Sequence, residues 1–371
     1  MEKKRIAAID FARGISVLLV IIVHTMLIYG SIQTQTQTLL GEIILWMGRG
    51  TPMFLVIMGI SFNQSSRQHF SAICKRALII LLIGYGLNIL KFWVPEYIFG
   101  GLPQRFVEAY GLISQTLDSA LFFLCLGDIL QLAGITLFII ACINHFSQNK
   151  WIPLIIGLII ISLSKEMSGY RIGIAGIDYL CDLFFSNKFN VYFPVFPWSS
   201  FILIGIFLGK WYKELKENEN TFFKKIAIQG IVFILVGAIL IKINPEYHFG
   251  DYYHLGPGGS IVLMGVMLLF LWISNILTIL IGEYKTLFKG ITYLSKNVTS
   301  LYVIQWIIIN WGMYVFGFWE HNQITVALLI PVMTLLTLMV NAAFLNCKNK
   351  LTNTKLLRFQ KIKQSKAQLI E

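Results

Sequence analysis

Uninterrupted apolar runs recur along this chain about ten times, at approximately 7–30, 40–62, 76–93, 118–143, 151–164, 194–212, 224–243, 260–281, 294–316 and 324–346. A helix needs about 20 apolar residues to cross roughly 30 Å of hydrocarbon. The runs therefore predict an all-α, polytopic integral membrane protein with about ten transmembrane helices. A membrane β-barrel would show short alternating segments instead of continuous Leu, Ile, Val and Phe. Composition points the same way. The chain is 56% hydrophobic and 13% charged, with a mean hydropathy of +0.71. That leaves too little polar surface for a water-soluble protein of 371 residues. Residues 1–347 read as a single transmembrane domain and 348–371 as a basic tail.

The net charge of +12 is not spread over one face, as nucleic-acid binding would require. It collects in alternate loops, which is the signature of membrane orientation. One set holds "MEKKR", Arg67, Lys75, Arg76, Lys150, Lys210, Lys213, Lys216, Lys224, Lys225, Lys285 and Lys289. The tail adds Lys348, Lys350, Lys355, Arg358, Lys361, Lys363 and Lys366. The opposite set is poorer, with Arg105, Lys165, Arg171 and Lys188 as exceptions. Both termini are expected in the cytoplasm. The five cysteines form no CxxC pair, so neither a metal site nor a disulfide framework is expected. The first apolar run is too long for a cleaved signal peptide and lacks a small-residue cleavage site. The outer loops 94–117, 165–193 and 244–259 are rich in aromatic residues, Gly and Pro. "NPEYHFGDYYHLGPGG" sets His248, His254 and Tyr rings together, as sugar-binding surfaces and membrane-interface belts both do.

The first run carries Asp10, Arg13 and His24. A helix turns about 100° per residue, so 11 steps bring Arg13 and His24 to within about 20° of one face, with Asp10 close by. Such a stripe must face protein or water, not lipid. Arg13 falls near the cytoplasmic edge and His24 about 16 Å deeper. That distance suits the reach of a pantetheine arm. A guanidinium could grip the phosphates of an acyl-coenzyme A with its planar fork. A neutral imidazole could take a proton from an attacking amine or hydroxyl, or take the acyl group itself. Asp10 and Arg13 could instead form an ion pair that seals the helix end.

At these residues the sequence resembles the heparan-α-glucosaminide N-acetyltransferase family and its bacterial relatives. "RIAAIDFARGISVLLVIIVH" is similar to the family's R-x-x-x-x-D-x-x-R-G helix, and the spacing from Arg13 to His24 also resembles that of integral-membrane O-acyltransferases. "GRGTPMFLVIMGISF", "GDILQLAGITLFI", "YFPVFPWSSFILIGIFLG" and "SLYVIQW" resemble further family segments in the same order. The resemblance implies acetyl transfer from cytoplasmic acetyl-CoA to an extracytoplasmic amino sugar or glycan, across a bacterial inner membrane. It suggests a homodimer and gives no metal a role. His24 is then the catalytic candidate, and Arg13, Asp10, Arg49, Lys75 and Arg76 are candidates for the donor channel. His254 and Trp198 are candidates for the acceptor, with Pro194 and Pro197 shaping a helix start. Three departures stand out. Animal members place Asn at the position of His24 and use a His from the next segment, but 31–39 contains none. Gln305 stands where relatives carry His, and Val191 where bacterial relatives carry Asp.

Two other functions remain open on the residues alone. A transporter also buries Asp, Arg and His, and would show two related halves. A non-catalytic glycan-synthesis partner would have a blocked donor channel.

Overall fold

The computed structural model describes residues 6–65, 68–174, 176–215, 219–282 and 284–368, with side chains as far as Thr352. The opening "MEKKR", Arg67, Lys216 and the tail side chains beyond Thr352 lie outside the described residues. Among the described residues, nine helices are long and apolar enough to cross a membrane, and a tenth apolar helix is shorter. In chain order they are α1 (Ala7–Tyr29), α2 (Leu39–Phe62), α3 (Phe70–Ile98), α4 (Ile129–Phe146), α5 (Trp151–Leu163), α6 (Val195–Glu214), α7 (Glu219–Ile243), α8 (Pro257–Ile281), α9 (Val298–Phe316) and α10 (Gln323–Thr352). The short one is α5. The chain is an all-α polytopic integral membrane protein.

Several apolar runs are less regular than they read. The helix of α2 is interrupted at Arg49–Thr51, where "GRGTP" ends one segment at Gly48 and restarts at Pro52. Pro suits a helix start because its missing N–H would have had no partner there. The run 118–143 divides into a short helix, Leu117–Cys125, and α4, which starts afresh after Asp128. In α3 the turn Ile89–Trp93 is a π-helix. Lys91 in this turn continues the buried face of Gly84, Leu87 and Asn88, while its neighbours Ile89 and Leu90 are 42% and 38% exposed. The expected outer loop 94–117 contains a short helix, Gln104–Ala109.

Helices approach closely where small residues allow it, as membrane bundles require. A side chain at Gly59 of α2 would collide with the backbone of Ile202 and Gly205 of α6. The amphipathic helix Lys285–Lys296 lies against the first turns of α1, with Ile291 seated on Gly14. One buried apolar cluster joins the start of α1 to α2, α4, α6, α7 and α8. A second joins the end of α1 to α3, α9 and α10. The polar stripe of α1 runs between these two cores.

Candidate active site

Between the cores lies a cavity of about 1810 Å³. Small-molecule pockets commonly measure about 300–1,000 Å³, so this one has room for an extended ligand. Arg13 and His24 both line it, along with Arg49 and Arg76. At the Arg13 end, Lys296 and Lys348 add two cations to the lining. Arg13 Nη2 donates to Ser61 Oγ on α2, which holds the guanidinium at the cavity wall.

Other expected site residues stand elsewhere. Asp10 is buried and accepts a hydrogen bond from Ser295 Oγ at 2.8 Å, which ties α1 to the amphipathic helix. Asp10 and the exposed Lys75 are not among the cavity-lining residues. Trp198 and His254 are also buried behind the cavity wall instead of lining it. Trp198 Nε1 donates to Tyr253 O at 2.7 Å. His254 bonds Asp251 through Nδ1 and Val191 O through Nε2 at 3.3 Å. These contacts position the rings that do reach the cavity, Tyr192 and Tyr253, whose centroids are 5.0 Å apart. Tyr110 joins them through a 2.7 Å hydroxyl contact with Tyr192. Burial pushes the Tyr110 hydroxyl up to about 12 and raises that of Tyr192 well above its ordinary value. Both therefore stay protonated at neutral pH and act as neutral hydrogen-bonding groups. Burial of Asp251 opposes its ionisation, but bonds from His254 and the Tyr253 N–H outweigh this and lower its pKa.

His24 sits part-way along the cavity, stacked on Trp306 at 3.8 Å and 26°. The Gln305 amide lies beside its Nδ1, with Oε1 at 3.1 Å and Nε2 at 3.0 Å. Gln305 Nε2 also donates to Tyr302 O at 3.2 Å. The amide nitrogen keeps a second N–H, so Gln305 faces Nδ1 with both a donor and an acceptor, and one of the two His24 tautomers it can serve has Oε1 accepting from Nδ1–H. That tautomer puts the imidazole lone pair on Nε2, which makes no hydrogen bond among the described residues. The residue that departs from the expected late-helix His is thus the one that holds His24.

A second polar group lines the same part of the cavity. Asp128 Oδ1 accepts from Ile129 N at 2.8 Å, and the Gln131 side chain accepts from Asp128 N at 3.2 Å. This reciprocal cap is what "GDILQ" encodes. The other carboxylate oxygen accepts from Tyr302 Oη at 2.8 Å and lies 4.0 Å from Lys91 Nζ. Lys91 Nζ in turn sits 4.3 Å from the centre of the Trp306 ring.

The profile for the catalytic domain of heparan-alpha-glucosaminide N-acetyltransferase matches residues 5–243. The chain belongs to this family. No curated protein matches it. The matched segment runs from α1 to α7 and includes Arg13, His24, Lys91 and Asp128, whereas Tyr302, Gln305 and Trp306 of α9 lie beyond it. Membership in the heparan-alpha-glucosaminide N-acetyltransferase family implies a transmembrane acetyltransferase in general terms. Sequence reasoning passed over Lys91, Asp128, Tyr302 and Trp306. Lys91 could have been found as a cation inside an apolar run, and Asp128 as an Asp three residues before Gln. The two aromatic residues carry no such mark.

Proposed function

We propose that this protein transfers an acetyl group from cytoplasmic acetyl-CoA to an amino sugar or other glycan on the far side of a bacterial inner membrane. The observation that carries the reading is one cavity lined by His24, by the cations Arg13, Arg76, Lys296 and Lys348, and by the hydroxyls of Tyr110, Tyr192 and Tyr253. Arg13, Arg76, Lys296 and Lys348 would hold the nucleotide phosphates, on the side where the charge pattern leads us to expect both termini in the cytoplasm. Arg49, from the break in α2, would add charge further along the channel. The pantetheine arm would extend the about 16 Å from Arg13 to His24. Tyr192 and Tyr253 would meet the acceptor, since aromatic faces suit sugar rings and their hydroxyls suit sugar hydroxyls.

In the chemical step, the acceptor nitrogen or oxygen attacks the thioester carbonyl carbon. The lone pair on His24 Nε2 receives the proton given up, the carbon–sulfur bond breaks, and coenzyme A leaves as the thiol once that proton reaches sulfur. The same lone pair could attack the carbonyl first and carry the acetyl group as acyl-histidine. Both routes need Nε2 unprotonated and facing the cavity, as it is when Gln305 Oε1 accepts from Nδ1–H.

Purified protein in lipid nanodiscs should bind acetyl-CoA and transfer its acetyl group to glucosamine. Substituting His24→Ala should lower transfer roughly 10²–10⁴-fold while acetyl-CoA binding persists. Full transfer by a folded His24→Ala protein overturns the reading.

A further inference from the structure

Lys91 is buried to 3% exposure inside a membrane-spanning helix. Its ammonium carries three N–H donors. Buried donors are nearly always satisfied, and an exception calls for an explanation. An ion pair with Asp128 is the simplest one, but it accounts for only part of the arrangement. The Nζ–Oδ2 separation is 4.0 Å, well beyond the roughly 2.7–2.9 Å of a charge-assisted hydrogen bond. Each carboxylate oxygen also accepts another hydrogen bond, one from the Ile129 N–H and the other from the Tyr302 hydroxyl. Nζ also lies over two ring faces, Trp306 at 4.3 Å and Phe92 at 4.7 Å. These favour a cation but accept no conventional hydrogen bond. Asp128 thus faces the ammonium without taking up its donors.

Three observations aim those donors. Lys91 lines the cavity. It stands on the π-helical turn Ile89–Trp93, a distortion frequently found at functional sites. It also contacts the same indole on which His24 stacks. We infer that Lys91 is a catalytic residue whose ammonium hydrogen-bonds the thioester carbonyl oxygen and stabilises the oxyanion formed there. This inference rests on the acyl-transfer reading above. As the acceptor bonds to the carbonyl carbon, the carbonyl π electrons move onto oxygen, where Lys91 donates an N–H without losing its proton. They return to re-form the double bond as the carbon–sulfur bond breaks, and the sulfur leaves with the pair. Such a preformed cation in a low-dielectric site is worth far more than one in water.

The test uses the full chain in nanodiscs with acetyl-CoA and glucosamine, comparing wild type, Lys91→Met, Lys91→Gln and His24→Ala. Lys91→Met should lower kcat roughly 10²–10³-fold and leave the Kd for acetyl-CoA nearly unchanged, with Lys91→Gln less impaired because it keeps a donor. The infrared carbonyl stretch of bound, isotope-labelled acetyl-CoA should rise in frequency in Lys91→Met, since the polarising contact is gone. A kcat near that of wild type in Lys91→Met overturns the assignment. So does a loss of acetyl-CoA binding that accounts for the lost activity, or failure of both Lys91 variants to fold, since each marks a structural cation. Loss of transfer in His24→Ala with full transfer in Lys91→Met removes this inference alone. Full transfer in His24→Ala removes the acyl-transfer reading and this inference with it.

Discussion

At the scale of the residue, the site depends on which nitrogen of His24 carries the proton. Gln305 faces Nδ1 with both amide atoms, and under the proposed function the productive arrangement is Oε1 accepting from Nδ1–H. Replacing Gln305 with Leu keeps the approximate volume and removes that control. The expected outcome is a fall in kcat of roughly tenfold or more, from the share of general-base catalysis that needs the correct tautomer, with little change in KM for acetyl-CoA. Steady-state kinetics of Gln305→Leu beside wild type measure both. His24 and Arg13 were legible in the sequence because a group that can hold charge stands out in an apolar run. Lys91 was harder to see, since four residues before Pro95 it could pass for a snorkelling cation at the end of a span. Tyr302 and Trp306 were illegible: in an apolar helix, an aromatic ring at the site looks like any ring in the core. His254 and Trp198 were drawn toward the acceptor by composition, yet the structure gives them the task of fixing Tyr192 and Tyr253 from behind.

At the scale of the element, the positions of the membrane helices were readable from hydropathy, while their interruptions were not. A window of about 20 residues averages away a break of three residues such as Arg49–Thr51, or the gap between Cys125 and Ile129. Yet those interruptions place Arg49 and Asp128 on the cavity wall. Between them, uninterrupted helices set the spacing of the bundle. The crossing of α2 and α6 at Gly59 and Gly205 has no room for a side chain, because backbone atoms of the partner helix occupy the place of the Cβ. Gly59→Val should therefore destabilise the protein by about 1–3 kcal/mol, the usual range for overpacking. Thermal unfolding of the purified variant in the same detergent as wild type should show a lower midpoint. An unchanged midpoint would mean that the two helices can separate without cost.

At the scale of the whole molecule, one cavity brings cations from α1, α3 and α10 together with His24 and the tyrosines of the expected outer loops. Under the proposed function, the cations act on phosphate through long-range attraction that salt screens. Arg13→Gln combined with Lys348→Gln should raise KM for acetyl-CoA several-fold, more at low ionic strength than at high, and leave kcat largely intact. A salt titration of KM for the double variant and for wild type checks this. A uniform loss of kcat instead would place the pair in the chemistry.

The cavity beside the interrupted backbone of α2 has one more consequence. Polar main-chain groups at membrane depth persist only where protein or water can satisfy them, and Gly48, Arg49 and Thr51 all border the open cavity. The turn satisfies much of its own backbone, with Arg49, Gly50 and Thr51 N–H donating to Trp46, Met47 and Gly48 O, so it is the cations and hydroxyls lining the cavity that are expected to keep the passage wet. A thioester waiting there without an acceptor would be exposed to hydrolysis. For such an enzyme the selective burden is fidelity as much as speed: the donor must be spared from solvent until a sugar arrives.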